Sequence, residues 1–305
     1  MEKYPLVSIV VVSYNHASYL VKNLDTIKAQ TYSNIELILA DDASSDNSVE
    51  VFEQWLVDNQ YPAIKNYHTQ NKGLAATLNE CIAMLNGKYV KLISGDDYLH
   101  PEAIEKSVEK LESLGEEYGM VFCDTYTVND RSELIEDYAD YDSLGLIDPL
   151  KFRDELIKGC RIAALTTMMH KRVILETGPY DTKYIVEDYY RWLMINEKYL
   201  IGYIPQKLYY YRLHDNNLSV VKKERIAQEG ITLSIRFDKK GVAHNRVNSF
   251  IQERYIQKQE ISPELFEAYT AYPYKNKILY FFLKNKLPII GYKLIRKFTG
   301  YIVYD

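Results

Sequence analysis

Short apolar runs rich in β-branched side chains alternate with stretches of helical periodicity across residues 6–115, and few architectures accept that order. The first run, in PLVSIVVVSYN, extends from Val7 to Val12, the length of a parallel strand covered on both faces. A helical stretch over residues 17–30 follows, with Leu20, Leu24 and Ile27 on one side. IELILADD predicts a second buried strand, SSDNSVEVFEQWLVD a capped helix, AIKNYHT a third strand, LAATLNECIAML a helix and KYVKLISGDD a fourth strand. The alternation predicts an α/β domain built on a doubly wound, mostly parallel sheet, whose ligands sit beyond the carboxyl ends of the strands.

That prediction gives meaning to where the polar residues fall. Ser13 to Asn15, Asp41 with Asp42, and Asp96 with Asp97 each follow the last apolar residue of a strand, so three polar clusters converge on one edge. Asn71 to Gly73 precedes a helix and would line the same rim. GMVFCDTY supplies another strand, residues 129–160 turn irregular and acidic, and the pattern from Lys222 onward is helical. The organisation expected is a domain over 1–220, with halves 1–115 and 116–220, and a helical extension over 221–305.

Charge divides at the same place. Residues 221–305 hold 16 Lys and Arg against 8 Asp and Glu, whereas the remainder holds 21 against 34. An acidic body with a basic tail argues against wrapping nucleic acid. Cys81, Cys123 and Cys160 are far apart and show no C-x-x-C spacing, which suits buried thiols in a reducing compartment better than disulfides or zinc. No secretory signal opens the sequence and no run of 18 apolar residues occurs, so the expected location is cytoplasmic, or peripheral on the cytosolic face of the plasma membrane. The 29 tyrosines are either sugar-stacking surfaces or compositional bias.

Adjacent carboxylates such as Asp96 and Asp97 repel unless a cation joins them or one takes a proton. Mg2+ and Mn2+ favour oxygen ligands, and Mg2+ in particular takes few protein carboxylates, filling its shell with water and substrate phosphates. The pair therefore suggests a metal–diphosphate site; the plainer alternative is a cap on the helix starting near Pro101.

At this point the residues resemble a known family. VSIVVVSYNHASYLVKNLDTIKAQTYSNIELILADDASSDNS, followed by NKGLAATLNECIAMLNGKYVKLISGDD, GPYDTKYIVEDYYRWLMI and YYYRLHDNNLS, is similar to family 2 inverting glycosyltransferases of the GT-A fold, over residues 5–220. The resemblance implies transfer of a sugar from a UDP-sugar to a hydroxyl of a glycan or lipid-linked acceptor, with Mn2+ or Mg2+ as cofactor, in bacterial surface polysaccharide or capsule synthesis. It implies that Ser13, Tyr14 and Asn15 wall the nucleotide pocket, that Asp42 receives the N3 hydrogen of uracil, and that Asp96 holds the ribose or the metal's water shell. Asp97 matches the last acid of the family's D-x-D element, here Gly-Asp-Asp, and would bind the metal; Lys72 would lie near the diphosphate. One departure stands out: many members carry arginine before the asparagine aligned with Asn79, and this chain has Leu78.

Inversion needs a base for the acceptor hydroxyl and a counter-charge for the leaving group. Family position makes Asp188 the base, with Glu187 as neighbour or acceptor ligand, and a helix N-terminus there favours the charged carboxylate. His214 either touches the diphosphate or metal, orients a loop, or bonds the backbone. His16, His68, His100, His170 and His244 show no ligand spacing. From Ala268 to Tyr304 there are seven basic residues and no acidic one, around ILYFFL and LPIIGYKLI. This segment, 270–305, either lies on anionic lipid or packs on the body or a second subunit of a homo-oligomer. Three other readings compete: a receiver-like signalling domain, disfavoured because the first strand ends in Ser-Tyr-Asn; a non-catalytic GT-A-like scaffold, disfavoured by Asp42, Asp97 and Asp188 occurring together; and a nucleotidyltransferase, disfavoured because no glycine-rich phosphate loop opens the chain.

Overall fold

The structure, a computed structural model, describes residues 4–137 and 139–298. The chain forms two compact units: Met1–Arg153 with Arg161–Val221, and Asp154–Cys160 with Lys222–Asp305. In the first unit the strands are β1 (Val7–Ser13), β2 (Ile35–Asp41), β3 (Ile64–Tyr67), β4 (Tyr89–Ser94), β5 (Tyr98–Leu99), β6 (Tyr118–Val128), β7 (Thr167–His170) and β8 (Leu200–Arg212). They form one sheet in the order β3-β2-β1-β4-β7-β6-β8-β5. Between them run α1 (Ala17–Lys28), α2 (Ser48–Asn59), α3 (Leu74–Ile82), α4 (Ala103–Ser113), α5 (Asp142–Gly145), α6 (Pro149–Lys158), whose residues from Asp154 on belong to the second unit, α7 (Lys171–Thr177) and α8 (Glu187–Lys198), and α9 (Leu218–Val221) follows β8.

β1, β2, β3 and β4 are parallel; every residue of β1 is buried, as expected of a run covered on both faces, whereas β3, at the sheet edge, has Ile64 and Lys65 exposed and Asn66 and Tyr67 half-buried. Beyond β4 the pattern changes: β7 pairs antiparallel with both β4 and β6, and β6 pairs parallel with β8. A buried amine ties this junction. Lys91 of β4 is fully enclosed, lies over the Tyr209 ring at 3.7 Å, and donates to the carbonyls of Leu165 and Thr167, where β7 begins. Burial pulls its pKa down to about 7.

The acidic stretch 129–160 is less irregular than its composition suggests. It contains α6, which starts at Pro149 with the Asp148 carboxylate accepting the backbone N–H groups of Leu150 and Lys151. Phe152 and Leu156 of this helix are buried.

Part of the tyrosine excess is structural. Tyr98, Tyr210 and Tyr126 stack across β5, β8 and β6 with centroids 4.4 and 4.8 Å apart, and Lys22 and Lys207 lie over the outer rings. Stacked neighbours and cations occupy the ring faces, which leaves no open face for a sugar.

The second unit is helical: α10 (Lys223–Phe237), α11 (His244–Gln257), α12 (Pro263–Ala271), α13 (Lys277–Lys284) and α14 (Ile289–Phe298), around a core that includes Ile231, Val247, Leu265, Tyr269, Leu279 and Phe282. α13 buries Leu279 and Phe282 and exposes Phe281; Ile290 and Leu294 of α14 are also exposed. Residues 299–305 of the segment expected to meet lipid lie outside the described residues. No described helix is long and apolar enough to cross a membrane.

Candidate functional site

Strand register creates the site. Ser13 of β1 is level with Asp41 of β2, and Val12 with Ser94 of β4, so three strands stop at one edge. The loops that leave them are laced together. The N–H of Asp42 donates to Ser13 O (3.0 Å), and that of Gly95 to Val12 O (2.9 Å). Asn15, at a positive φ of 60°, donates its N–H to Ser44 Oγ (2.8 Å) and accepts from Ser45 N (2.8 Å). Ser13 is buried in the strand, whereas Tyr14 is 48% exposed and free to meet a ligand ring.

Asp42 is enclosed by its neighbours. Oδ1 accepts from Lys72 N (2.8 Å) and faces His68 Nδ1 (2.8 Å); Oδ2 accepts from Gly73 N (2.8 Å). Gly73 sits at φ 86°, a conformation that brings successive N–H groups onto one carboxylate at little cost only in glycine. The Lys72 amine points to Glu80 Oε1 (2.7 Å), so this lysine contributes its backbone to Asp42 and its charge to a neighbouring acid.

The adjacent aspartates have different surroundings. Asp96 Oδ2 faces His214 Nε2 (3.1 Å) and lies 3.8 Å from His16 Nε2, while its Oδ1 is buried without a hydrogen-bond partner. Asp97 turns to the interior, where its Oδ1 accepts the backbone N–H of Arg212 (2.9 Å). Burial opposes ionisation of Asp96, yet the His214 hydrogen bond and the field of His16 hold it down at about 2. Asp97 is driven well above the usual carboxylate range, by burial first and by the charge of Asp96 second.

Sequence reasoning passed over Arg212, which organises this corner. Its buried guanidinium donates from Nε to Asp96 O (2.8 Å), from Nη1 to the carbonyls of Asn129 and Asp130, and from Nη2 to Ser132 Oγ. It also lies 4.7 Å from the Tyr19 ring, and Tyr19 stacks on His214. The only local signal is an arginine ending the polar-aromatic run YYYR, since the partners of its guanidinium are 80 or more residues away.

Asp188 is placed by a separate link. Asn79 of α3, next to buried Leu78, exchanges two hydrogen bonds with the backbone of Tyr180 (3.0 and 2.7 Å) and so fixes the turn that leads to α8. Gly178, at φ 82°, allows that turn, and Arg191 locks it by donating to Gly178 O and Thr177 Oγ1. Glu187 and Asp188 occupy the first turn of α8. The helix N-terminus leads one to expect a carboxylate held ionised; instead, burial outweighs the N–H groups of Tyr189 and Asp188 and raises the Asp188 pKa to about 6.

Among the described residues no three His, Cys, Asp or Glu side chains are arranged to hold an ion. The partnerless Oδ1 of Asp96, whose other oxygen meets His214 Nε2, nevertheless fits a cation that draws its other ligands from a bound diphosphate.

Residues 8–173 match the family model described as glycosyl transferase family 2. A protein of Bacillus subtilis (strain 168) named as a glycosyltransferase, EpsH, is 24% identical over 243 residues, covering 75% of this chain and 67% of its own length. The chain spans 31% to 37% of the length of three other curated glycosyltransferases that it matches, and 98% of one from Haemophilus influenzae, to which it is 26% identical over 338 residues. Among solved structures, Staphylococcus aureus TarS 1-349 in complex with UDP-GlcNAc superposes with a TM-score of 0.65 at 14% identity, covering 97% of this chain and 89% of that one. The mannosyltransferase PcManGT from Pyrobaculum calidifontis, in complex with GDP-Man and Mn2+, gives a TM-score of 0.62 at 17% identity over 88% and 75%. The fold is that of GT-A glycosyltransferases, a mixed α/β sheet with flanking helices, here with a helical C-terminal region.

Proposed function

The chain belongs to glycosyl transferase family 2, and on that premise we propose that it transfers a sugar, with inversion, from a UDP-sugar to a hydroxyl of a glycan or lipid-linked saccharide. The observation that carries this reading is the strand-end corner where Asp96 keeps a buried, partnerless oxygen beside His214. Mn2+ or Mg2+ would be held there by Asp96 and His214, and would neutralise charge on the departing diphosphate. The ion is thereby moved one residue from Asp97, the ligand that sequence likeness suggests, because Asp97 serves the backbone of Arg212. Asp42 faces the base and Tyr14 offers its exposed ring at the pocket wall. Asp188 takes the proton of the attacking hydroxyl, with Glu187 at its side. UDP release from UDP-glucose, UDP-galactose and their N-acetyl forms is expected only with added Mn2+ or Mg2+; equal release in EDTA would overturn the metal assignment.

The acceptor class draws support from the second unit. Exposed Phe281, Ile290 and Leu294 occur with Lys284, Lys286 and Lys293 in a stretch without an acidic residue, the composition of a surface that rests on anionic lipid. Because α13 also builds its unit's core, deleting 270–305 would confound unfolding with lost binding. The sharper variant is Phe281→Ser with Ile290→Ser. The unaltered chain is expected to sediment with phosphatidylglycerol vesicles and the double variant to remain in solution; equal sedimentation of both would refute the lipid contact.

A further inference from the structure

We infer that His68 is a positioning residue that makes the Asp42 carboxylate select a base with a single ring N–H, the uracil or thymine type, and reject guanine. The inference rests on the reading above in one respect, that Asp42 meets the base.

A carboxylate has about four acceptor positions, two on each oxygen. On Asp42, Oδ1 has both engaged, by Lys72 N and His68 Nδ1, and Oδ2 has one engaged, by Gly73 N. One position on Oδ2 remains. Guanine presents N1–H and the N2 amino group side by side, and docks on a carboxylate with one hydrogen bond to each oxygen, which needs a vacancy on Oδ1 that Asp42 lacks. Uracil and thymine present only N3–H between two carbonyls and fit the single vacancy. Cytosine and adenine carry no ring N–H on that edge; their donor there is an exocyclic amino group beside a ring nitrogen whose lone pair would face the carboxylate, a poorer match than N3–H.

His68 is the side chain that removes the second vacancy, and its place is built into the fold. Its side chain is 3% exposed, its N–H extends the β2–β3 pairing to Asp41 O (2.9 Å), and its Nε2 meets Glu80 Oε2 at 2.7 Å. Glu80 is itself held by Lys72 Nζ and by Asn66 Nδ2 (3.2 Å). Both ring nitrogens thus face carboxylate oxygens, so the ring cannot rotate away from Asp42 without losing Glu80. A histidine with no metal-ligand spacing acquires its role through hydrogen bonds.

The test is calorimetric titration of the full chain, with Mn2+, with UDP, dTDP, GDP, CDP and ADP, for the unaltered protein, His68→Val and His68→Gln. The unaltered protein is expected to bind UDP and dTDP at least about tenfold more tightly than the other three, one lost hydrogen bond to a charged group being worth that factor or more. His68→Val should bring GDP to within about threefold of UDP, and His68→Gln, whose amide can donate to Oδ1, should restore the preference. A general loss of folding would weaken all five nucleotides together and leave their ratios unchanged, which would count against the inference. UDP binding with an unchanged UDP-to-GDP ratio in His68→Val would overturn the role of His68 alone. No binding of any nucleotide by the unaltered protein would overturn the functional reading with it.

Discussion

Replacing Asp188 with asparagine is expected to lower UDP release from a UDP-sugar by about 10²- to 10⁴-fold while UDP affinity stays within about twofold, the range expected when a positioned base is removed. Asparagine nearly matches the shape of aspartate, and its Oδ1 can still accept the N–H of Tyr189. What disappears is the acceptor for the hydroxyl proton. The elevated pKa adds a second signature. Above about 6 the carboxyl is ionised and competent; below it, the rate should fall about tenfold per pH unit, with the midpoint belonging to the free enzyme when read in kcat/KM. The effect on stability has the opposite sign to the effect on rate. A carboxyl whose folded pKa lies above its ordinary value of 3.8 favours the folded state only when protonated, and that contribution is lost as pH rises through about 6. The asparagine variant should therefore melt no lower than the parent at pH 7.5. A normal rate, or a lowered melting temperature with lost UDP binding, would remove Asp188 from the role of base.

How far the sequence revealed this site depends on whether the cause was local. β1, β2 and β4 were legible because strands buried on both faces are written as unbroken apolar runs, and a parallel sheet carries their ends to one edge. β7 was not, because four residues, TMMH, carry no periodicity, and its antiparallel place depends on Lys91 reaching the carbonyls of Leu165 and Thr167. α6 was hidden by acidic composition although Asp148 and Pro149 mark its start. Arg212 and His68 were missed for a common reason: each matters through partners far along the chain, and neither carries a spacing rule. At Asp188 the sequence indicated the place but not the electrostatics, because an argument from the helix end cannot count the atoms that bury the group.

The same limit separates Asp96 from Asp97, and this separation yields the second large expected effect. Two adjacent acids in a turn are equivalent in the sequence, and only the path of the backbone decides which side chain faces the ligand. Arg212 settles that path: its Nε donates to the carbonyl of Asp96 and its backbone N–H to the carboxylate of Asp97, so the Asp97 side chain is committed to the protein while that of Asp96 meets His214 with Oδ2 and keeps Oδ1 buried without a partner. Asp96→Asn removes the charge at the partnerless oxygen and should weaken Mn2+-dependent UDP binding by at least about 10- to 100-fold, the scale already seen when groups that merely support metal ligands are altered. His214→Ala should weaken it in the same direction. Asp97→Asn retains an oxygen that accepts the Arg212 N–H and should leave the Mn2+-dependent affinity within about threefold. Titrations of UDP with and without Mn2+ for the three variants decide between the neighbours: if Asp97→Asn loses the metal dependence and Asp96→Asn keeps it, the ion belongs to Asp97, and Arg212 orders the turn for a different ligand geometry than the hydrogen bonds indicate.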